Sequence, residues 1–179
     1  MNFQAIIDFW FSELDHSQWY KKDSALDQEI VARFSEIHAR AVAGELWAWR
    51  CEPEGSLAEV IILDQFSRNM FRGDPRSFAF DPLALALAQT AIDKEQDEAL
   101  EPEKRCFLYM PFMHSESLAV HERAVTLFTK LGNANNLDYE YKHKAIIEQY
   151  GRYPHRNELL GRESTEAEKE FLTKPGSSF

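Results

Sequence analysis

The sequence contains few of the residues that define small secreted domains and turn-rich folds. Among its 179 residues are two cysteines, seven glycines and seven prolines. Two cysteines cannot form a disulfide scaffold, and neither Cys51 nor Cys106 has a second Cys or a His at zinc-finger spacing. So few glycines and prolines also argue against an all-β protein with many turns. The absences leave a globular, helical chain as the expected class.

Long apolar runs are also missing. The longest, residues 106–113, is far shorter than the roughly 20 residues that span a bilayer. The first residues lack a basic start and reach Asp8 before any long apolar run, so we expect no signal peptide. We therefore expect a soluble, cytoplasmic protein with no membrane partner.

Positive charge is scarce, with 20 Lys and Arg against 30 Asp and Glu and a net charge of −10. This balance argues against nucleic acid as a partner, because phosphate contacts need clustered Lys and Arg. The net charge nevertheless changes from −6 in residues 1–60 to −4 in 61–120 and 0 in 121–179. Arginines concentrate in residues 65–76 and 152–162. Two basic segments in an acidic chain predict a focused anion pocket.

Apolar residues recur at helical spacing through most of the chain, and glycines and prolines fall between these segments. The pattern predicts an all-α fold of about eight helices in antiparallel pairs, forming one domain over residues 1–173 with a flexible tail at 174–179. A capping box from Ser56 to Glu59 predicts the start of the third long helix. Pro111 predicts an interruption in the helix that begins near Pro102.

Charged side chains interrupt the apolar helix that follows Ser56. Asp64 and Arg68 are four residues apart on an otherwise apolar face, with the acid first, so they can pair along the helix. Asn69 and Arg72 extend the polar stripe. One interpretation is a buried structural ion pair. The other is that the stripe lines a cleft and binds an anion, because Arg suits carboxylate and phosphate groups.

Histidines form a second irregularity. His121 and His143 each lie within the apolar arc of a predicted helix, and His114 follows the Pro111 interruption, close to Glu116. Each His alone is typical of a hydrogen-bonded core residue. The three could also line a cleft, or join Glu116 and Asp64 around a metal ion. No two of them have the three- or four-residue spacing of a metal site, so we predict no metal and no cofactor.

A polar loop forms the third irregularity. Between Gly151 and the last predicted helix, four polar residues fall within six positions: Arg152, His155, Arg156 and Asn157. Loop residues held by a rigid scaffold often bind ligands. The alternative is a solvated turn, or a plug that donates hydrogen bonds to helix carbonyls. The sequence leaves both interpretations open.

Three segments resemble the motifs of a bacterial family known as domain of unknown function 924. They are residues 64–79 (DQFSRNMFRGDPRSFA), 107–116 (FLYMPFMHSE) and 151–165 (GRYPHRNELLGREST). The opening IDFWF at residues 7–11 is similar too. The resemblance implies an all-α, tetratricopeptide-like fold and supplies no established activity or site. Two positions depart from the family pattern: Ser67 stands where a proline is usual and Ala145 where an acidic residue is usual.

Three functions follow from these patterns. The leading one is binding of a small anion or a peptide end, with the stripe from Asp64 to Arg72 facing the loop from Arg152 to Asn157 across a cleft. A hydrolase would instead use His114, His121 or His143 as a general base. In a pure interaction scaffold, the same polar groups would only hold helices together. Periodicity does not determine the oligomeric state.

Overall fold

The protein is all-helical, as the periodicity predicts. The computed structural model describes residues 1–178, which contain no β-strand. Within this described range, nine α-helical segments follow one another: α1 (Gln4–Asp8), α2 (Ser24–Val42), α3 (Pro53–Ile61), α4 (Ser67–Met70), α5 (Asp81–Asp93), α6 (Pro102–Met113), α7 (Leu118–Leu131), α8 (Ala134–Tyr150) and α9 (Glu166–Leu172). None of the helices described is long and apolar enough to cross a membrane.

Two of these segments continue through a π-helical turn. The helix α1 runs on as a π-helix over Phe9–Glu13. Likewise, α3 and α4 are joined by a π-helix over Ile62–Phe66, so residues 53–70 form one unbroken helix. Counted in this way, the described residues contain eight helices, as predicted. Every residue from 55 to 67 is buried, so this helix is covered by other parts of the chain on all sides.

Two predicted helix boundaries are wrong. The central helix begins at Pro53 rather than at Ser56, because a proline in the first turn lacks only an N–H that has no helical partner. Ser56 and Glu59 therefore form no capping box: the Ser56 hydroxyl donates to Gln96 and the Glu59 carboxylate accepts two hydrogen bonds from Arg50. In addition, α6 continues through Pro111 to Met113.

The chain's contacts divide the described residues into two compact units. Unit 1 comprises residues 1–72 and 76–111, and the described part of unit 2 comprises residues 73–75 and 112–178. The core of unit 1 is aromatic. Phe9, Phe34 and Phe66 stack or meet edge to face with ring centroids 4.8–5.9 Å apart, and Trp10 contacts both Phe66 and Phe107. These rings join α1 and its π-helical turn to α2, the central helix and α6.

The core of unit 2 lies around the pair of helices α7 and α8. Gly132 ends α7 with a φ of +79°, and Asn133 caps α8 immediately afterwards by accepting from two backbone N–H groups. Ile146 and Ile147 of α8 form a buried cluster with Tyr153. The connection after α8 thus brings the polar loop onto this core. The single domain and the flexible tail stay predictions, although Ser177 is buried and its N–H donates to Lys174.

Candidate functional site

The Asp64–Arg68 pair forms as predicted, and a third residue joins it. The Arg68 Nη1 atom lies 3.0 Å from an Asp64 carboxylate oxygen and 3.0 Å from one of Asp81. A second guanidinium nitrogen donates to the other Asp81 oxygen at 3.0 Å. The Asp64 side chain is 1% exposed and that of Arg68 is 21% exposed. One guanidinium therefore neutralises two carboxylates, one of which is wholly buried.

The rest of the stripe binds a different carboxylate. Arg72 donates two hydrogen bonds to Asp27 on α2, at 2.6 and 2.8 Å, and Asn69 donates a third at 2.8 Å. These contacts lower the pKa of Asp27 although partial burial raises it. Asp27 stands in the first turn of α2. The stripe therefore ties the end of the central helix to the beginning of α2.

The loop in unit 2 is held in a similar way at its first residue. Arg152 donates from Nε and Nη2 to the two oxygens of Glu168, at 2.6 and 2.8 Å, and also to the Glu163 carbonyl. The Arg152 hydrogen bond holds the pKa of Glu168 down to about 2. Glu168 in turn completes the capping box of α9 with Thr165. Arg152 therefore fixes the start of the last helix.

Glu116 of the second motif accepts the hydrogen bonds that connect this motif to the third. Its carboxylate accepts from the Tyr153 backbone N–H at 2.7 Å and from two nitrogens of Arg162, at 2.7 and 3.0 Å. Arg162 also donates to Asn157 at 2.9 Å. Burial raises the pKa of Glu116, but these hydrogen bonds together lower it by more, so the pKa lies below its usual value. Glu116 is therefore an ionised anchor for the loop.

Arg156 and Asn157 are buried within the loop that they belong to. Arg156 is 6% exposed, its guanidinium lies 4.7 Å from the centre of the Tyr153 ring, and Nη2 donates to the His114 carbonyl at 3.0 Å. Asn157 donates to the Ser164 hydroxyl at 3.0 Å. The Arg156 contact reaches the carbonyl of the residue that directly follows α6, and the Asn157 contact reaches a hydroxyl. The plug and the binding loop therefore both stay predictions.

The buried His121 forms a close pair with a residue that the sequence did not single out. Its Nδ1 lies 2.7 Å from Glu140 Oε1, and both side chains are 0% exposed. Its Nε2 lies 2.9 Å from the Ser115 carbonyl oxygen and 3.2 Å from the Tyr153 hydroxyl. A carbonyl only accepts, so Nε2 carries a proton. Burial raises the pKa of Glu140 by more than its hydrogen bond with His121 lowers it.

Three predicted histidines surround one buried tyrosine. The ring centroids of His121, His143 and His155 lie 6.3, 5.8 and 5.6 Å from that of Tyr153. His143 is buried, and its Nδ1 lies 2.8 Å from the Tyr139 carbonyl oxygen of its own helix. His114 is half-buried. Among residues 1–178, no three His, Cys, Asp or Glu side chains are placed to hold a metal ion.

The sequence reasoning missed the acidic partners of these groups. They are Asp27, Asp81, Glu140 and Glu168, together with Arg162 as the partner of Glu116. Of these residues, only Glu140 could have been found from helical spacing. It precedes His143 by three residues and Ile147 by seven, so it belongs to the same buried face of α8. The others pair with residues 13 to 46 positions away, a separation that helical periodicity does not report.

A surface concavity of about 420 Å³ lies beside the loop in unit 2. Its wall is formed by Pro154, His155, Glu158, Ser164, Leu172, Ser177 and Ser178. His155 is the one predicted site residue among them. The stripe belongs to unit 1 and the loop to unit 2, so their facing one another across a cleft stays a prediction.

The comparisons with known proteins agree with the motifs. Residues 6–176 match the family model described as "Bacterial protein of unknown function (DUF924)". The chain belongs to this family. The chain is similar in fold to a solved structure described as "Structure of Protein of Unknown Function ATU0120 from Agrobacterium tumefaciens". The two sequences are 39% identical, the structures superpose with a TM-score of 0.91, and the match covers 95% of this chain and 96% of that one. None of the curated proteins matches.

The DUF924 motifs hold charged side chains that pair within their own unit. The first motif contributes Arg68 and Arg72, whereas the second contributes Glu116 and the third Arg152 and Arg162. At the departure from the family pattern, the Ser67 hydroxyl lies 2.8 Å from His38 Nε2. The charged motif residues of this DUF924 chain thus stabilise the fold through ion pairs and hydrogen bonds.

Two neutral buried histidines make the stability of this DUF924 chain depend on pH. Burial lowers the pKa of His38 to about 4 and that of His143 to about 3, from 6.5. Below pH 6.5 the unfolded chain takes up two protons that the folded chain excludes. We expect the free energy of unfolding, measured in urea, to fall between pH 6.5 and 5, with a slope that approaches about 1.4 kcal/mol per pH unit for each His near pH 5.

The variants His38→Gln and His143→Gln isolate the two contributions. Each is expected to reduce that slope, and the double variant to reduce it most, at constant ionic strength. A stability that stays constant between pH 6.5 and 5 in the unmodified protein contradicts the prediction.

Proposed function

We propose that this protein binds a small molecule bearing an anionic group in the concavity beside His155. The concavity of about 420 Å³ carries the proposal, because pockets of a few hundred cubic ångströms suit small ligands. Its polar wall residues include His155 and the hydroxyls of Ser164, Ser177 and Ser178. An imidazole N–H and hydroxyl groups are suitable donors to a carboxylate or phosphate.

The proposed anion site uses none of the arginines that the sequence suggested for this role. The guanidinium groups of Arg68, Arg72 and Arg152 each bind carboxylate groups at 2.6–3.0 Å. A ligand anion would have to displace these carboxylates and leave them without a cation. None of these three arginines lines the concavity.

Replacing His155 tests the proposal. Isothermal calorimetry and NMR titration use acetate, propionate, inorganic phosphate and glycine, each at millimolar concentration. We expect at least one probe to shift the amide signals of residues 154–178. We expect His155→Ala to weaken that binding about tenfold, the value of one charge-assisted hydrogen bond.

The matched control is His16→Ala, because His16 is an exposed residue of unit 1. This variant is expected to bind like the unmodified protein. If no probe shifts the signals of residues 154–178, the proposed function is wrong.

An interaction scaffold of the tetratricopeptide-like kind is the second candidate. It is favoured by the pairing of Arg152 with Glu168 and of Arg162 with Glu116, since these motif residues then only hold the loop. The hydrolase has less support. His121 is fully buried and both its nitrogens already have hydrogen-bonding partners, so it is not available as a general base to a substrate.

A further inference from the structure

The concavity contains a carboxylate that a simple anion would avoid. Glu158 is exposed and forms part of the same wall as His155. A ligand with only negative charge would be repelled by Glu158. A ligand that also carries a positive charge would instead gain an ion pair there.

Hydrogen bonds to two wall hydroxyls indicate which of them can donate to a ligand and which can accept from one. The Ser164 oxygen accepts from the Asn157 amide at 3.0 Å, which leaves its own hydrogen to donate to a ligand. The Ser177 hydroxyl instead donates to the Leu172 carbonyl at 3.2 Å, which leaves its oxygen lone pairs to accept. Ser164 therefore suits an anionic group and Ser177 a cationic one.

The wall thus offers two sets of polar groups and an apolar surface. His155 and Ser164 supply donors, whereas Glu158 and Ser177 supply acceptors. Pro154 and Leu172 contribute the apolar part. This combination corresponds to the three parts of an α-amino acid: carboxylate, ammonium and side chain.

The protein holds these groups in place before any ligand binds. The Leu160 N–H donates to the Arg156 carbonyl at 3.0 Å and the Arg162 N–H to the Asn157 carbonyl at 2.8 Å, which closes the loop on itself. In the segment that contains Leu172 and Ser177, the Lys174 N–H donates to the Phe171 carbonyl at 2.9 Å. Such pre-organisation reduces the entropy that binding costs.

We propose that the ligand of this concavity is a zwitterionic α-amino acid, with its carboxylate on His155 and Ser164 and its ammonium on Glu158 and Ser177. The inference rests on the proposed function and narrows it to one ligand class. It predicts that the amine matters as much as the acid. A side chain with apolar surface would pack on Leu172 and Pro154.

Matched probe pairs test the role of the amine. L-alanine is compared with propionate, and L-phenylalanine with 3-phenylpropionate, by NMR titration of the full chain. We expect each amino acid to bind about tenfold more tightly than the acid without the amine, which is the contribution of one added ion pair. Glu158→Gln should remove this preference and leave the binding of the simple acid unchanged or stronger.

The control is Glu122→Gln, which makes the same charge change at an exposed residue of α7 outside the concavity wall. It is expected to preserve the preference for the amino acid. Equal binding of acid and amino acid, or a preference that survives Glu158→Gln, overturns this inference and leaves the proposed function standing. If neither the acids nor the amino acids bind at residues 154–178, the proposed function fails with it.

Discussion

Removing the guanidinium of Arg68 is expected to cost the protein about 3–5 kcal/mol of unfolding free energy, the range for a broken buried ion pair. In Arg68→Ala, the buried Asp64 carboxylate loses the cation that lies 3.0 Å away. Asp81 loses both of its hydrogen bonds from the same group. The measurement is urea unfolding followed by circular dichroism at pH 7.

A second substitution separates charge from packing. In Arg68→Ala with Asp64→Asn, the buried charge is absent, so part of the lost stability should return, and the double-mutant cycle gives the coupling energy.

The control for this substitution is Arg40→Ala, which removes an ion pair with Glu45 whose side chains are 42% and 57% exposed. Exposed pairs contribute only about 0.2–1 kcal/mol. If Arg68→Ala lowers the free energy of unfolding no more than Arg40→Ala does, the structural role assigned to Arg68 is contradicted.

Adding a single methyl group at Gly55 is expected to be comparably damaging. A Cβ atom there would lie 2.1 Å from the Trp49 carbonyl oxygen and 2.8 Å from its carbonyl carbon. Both atoms belong to the backbone, so neither can rotate away as a side chain would. We expect Gly55→Ala to lower the free energy of unfolding by about 3 kcal/mol, the upper end for an overpacked core site. Urea unfolding measures the loss, and tryptophan fluorescence reports the displacement near Trp49.

Gly132→Ala is the matched control for this substitution. Gly132 has a φ of +79° but open space around a Cβ atom, so the change costs only the left-handed backbone, about 1–2 kcal/mol. A Gly55→Ala variant as stable as Gly132→Ala would contradict the close approach of the 3₁₀ turn Trp47–Cys51 to the central helix.

Arginines of the family motifs pair with carboxylates of their own unit. The first motif places Arg68 on two carboxylates, and the third places Arg152 on Glu168. Residues that look like an anion site in the sequence thus hold helices and a loop in position. The proposed ligand site depends on that loop, because His155 and Glu158 line the concavity between the paired positions Arg152 and Arg162.

The sequence alone determined the features that are local along the chain. Helical periodicity predicted an all-α protein, and the four-residue spacing of Asp64 and Arg68 predicted their ion pair, because side chains four apart share one face of a helix. The motifs identified the family. Even among local features, two boundaries were wrong, since Pro53 and Pro111 both sit inside helices.

Only the tertiary structure decided which distant carboxylates meet the arginines. Arg68 finds Asp81 13 residues away, Arg72 finds Asp27 45 residues away, and Arg162 finds Glu116 46 residues away. Such pairings depend on how the helices pack, which no periodicity within one segment records. Packing therefore paired four arginines of the two basic segments with carboxylates and buried His121 against Glu140. The concavity beside His155 is left as the place where a ligand is proposed to bind.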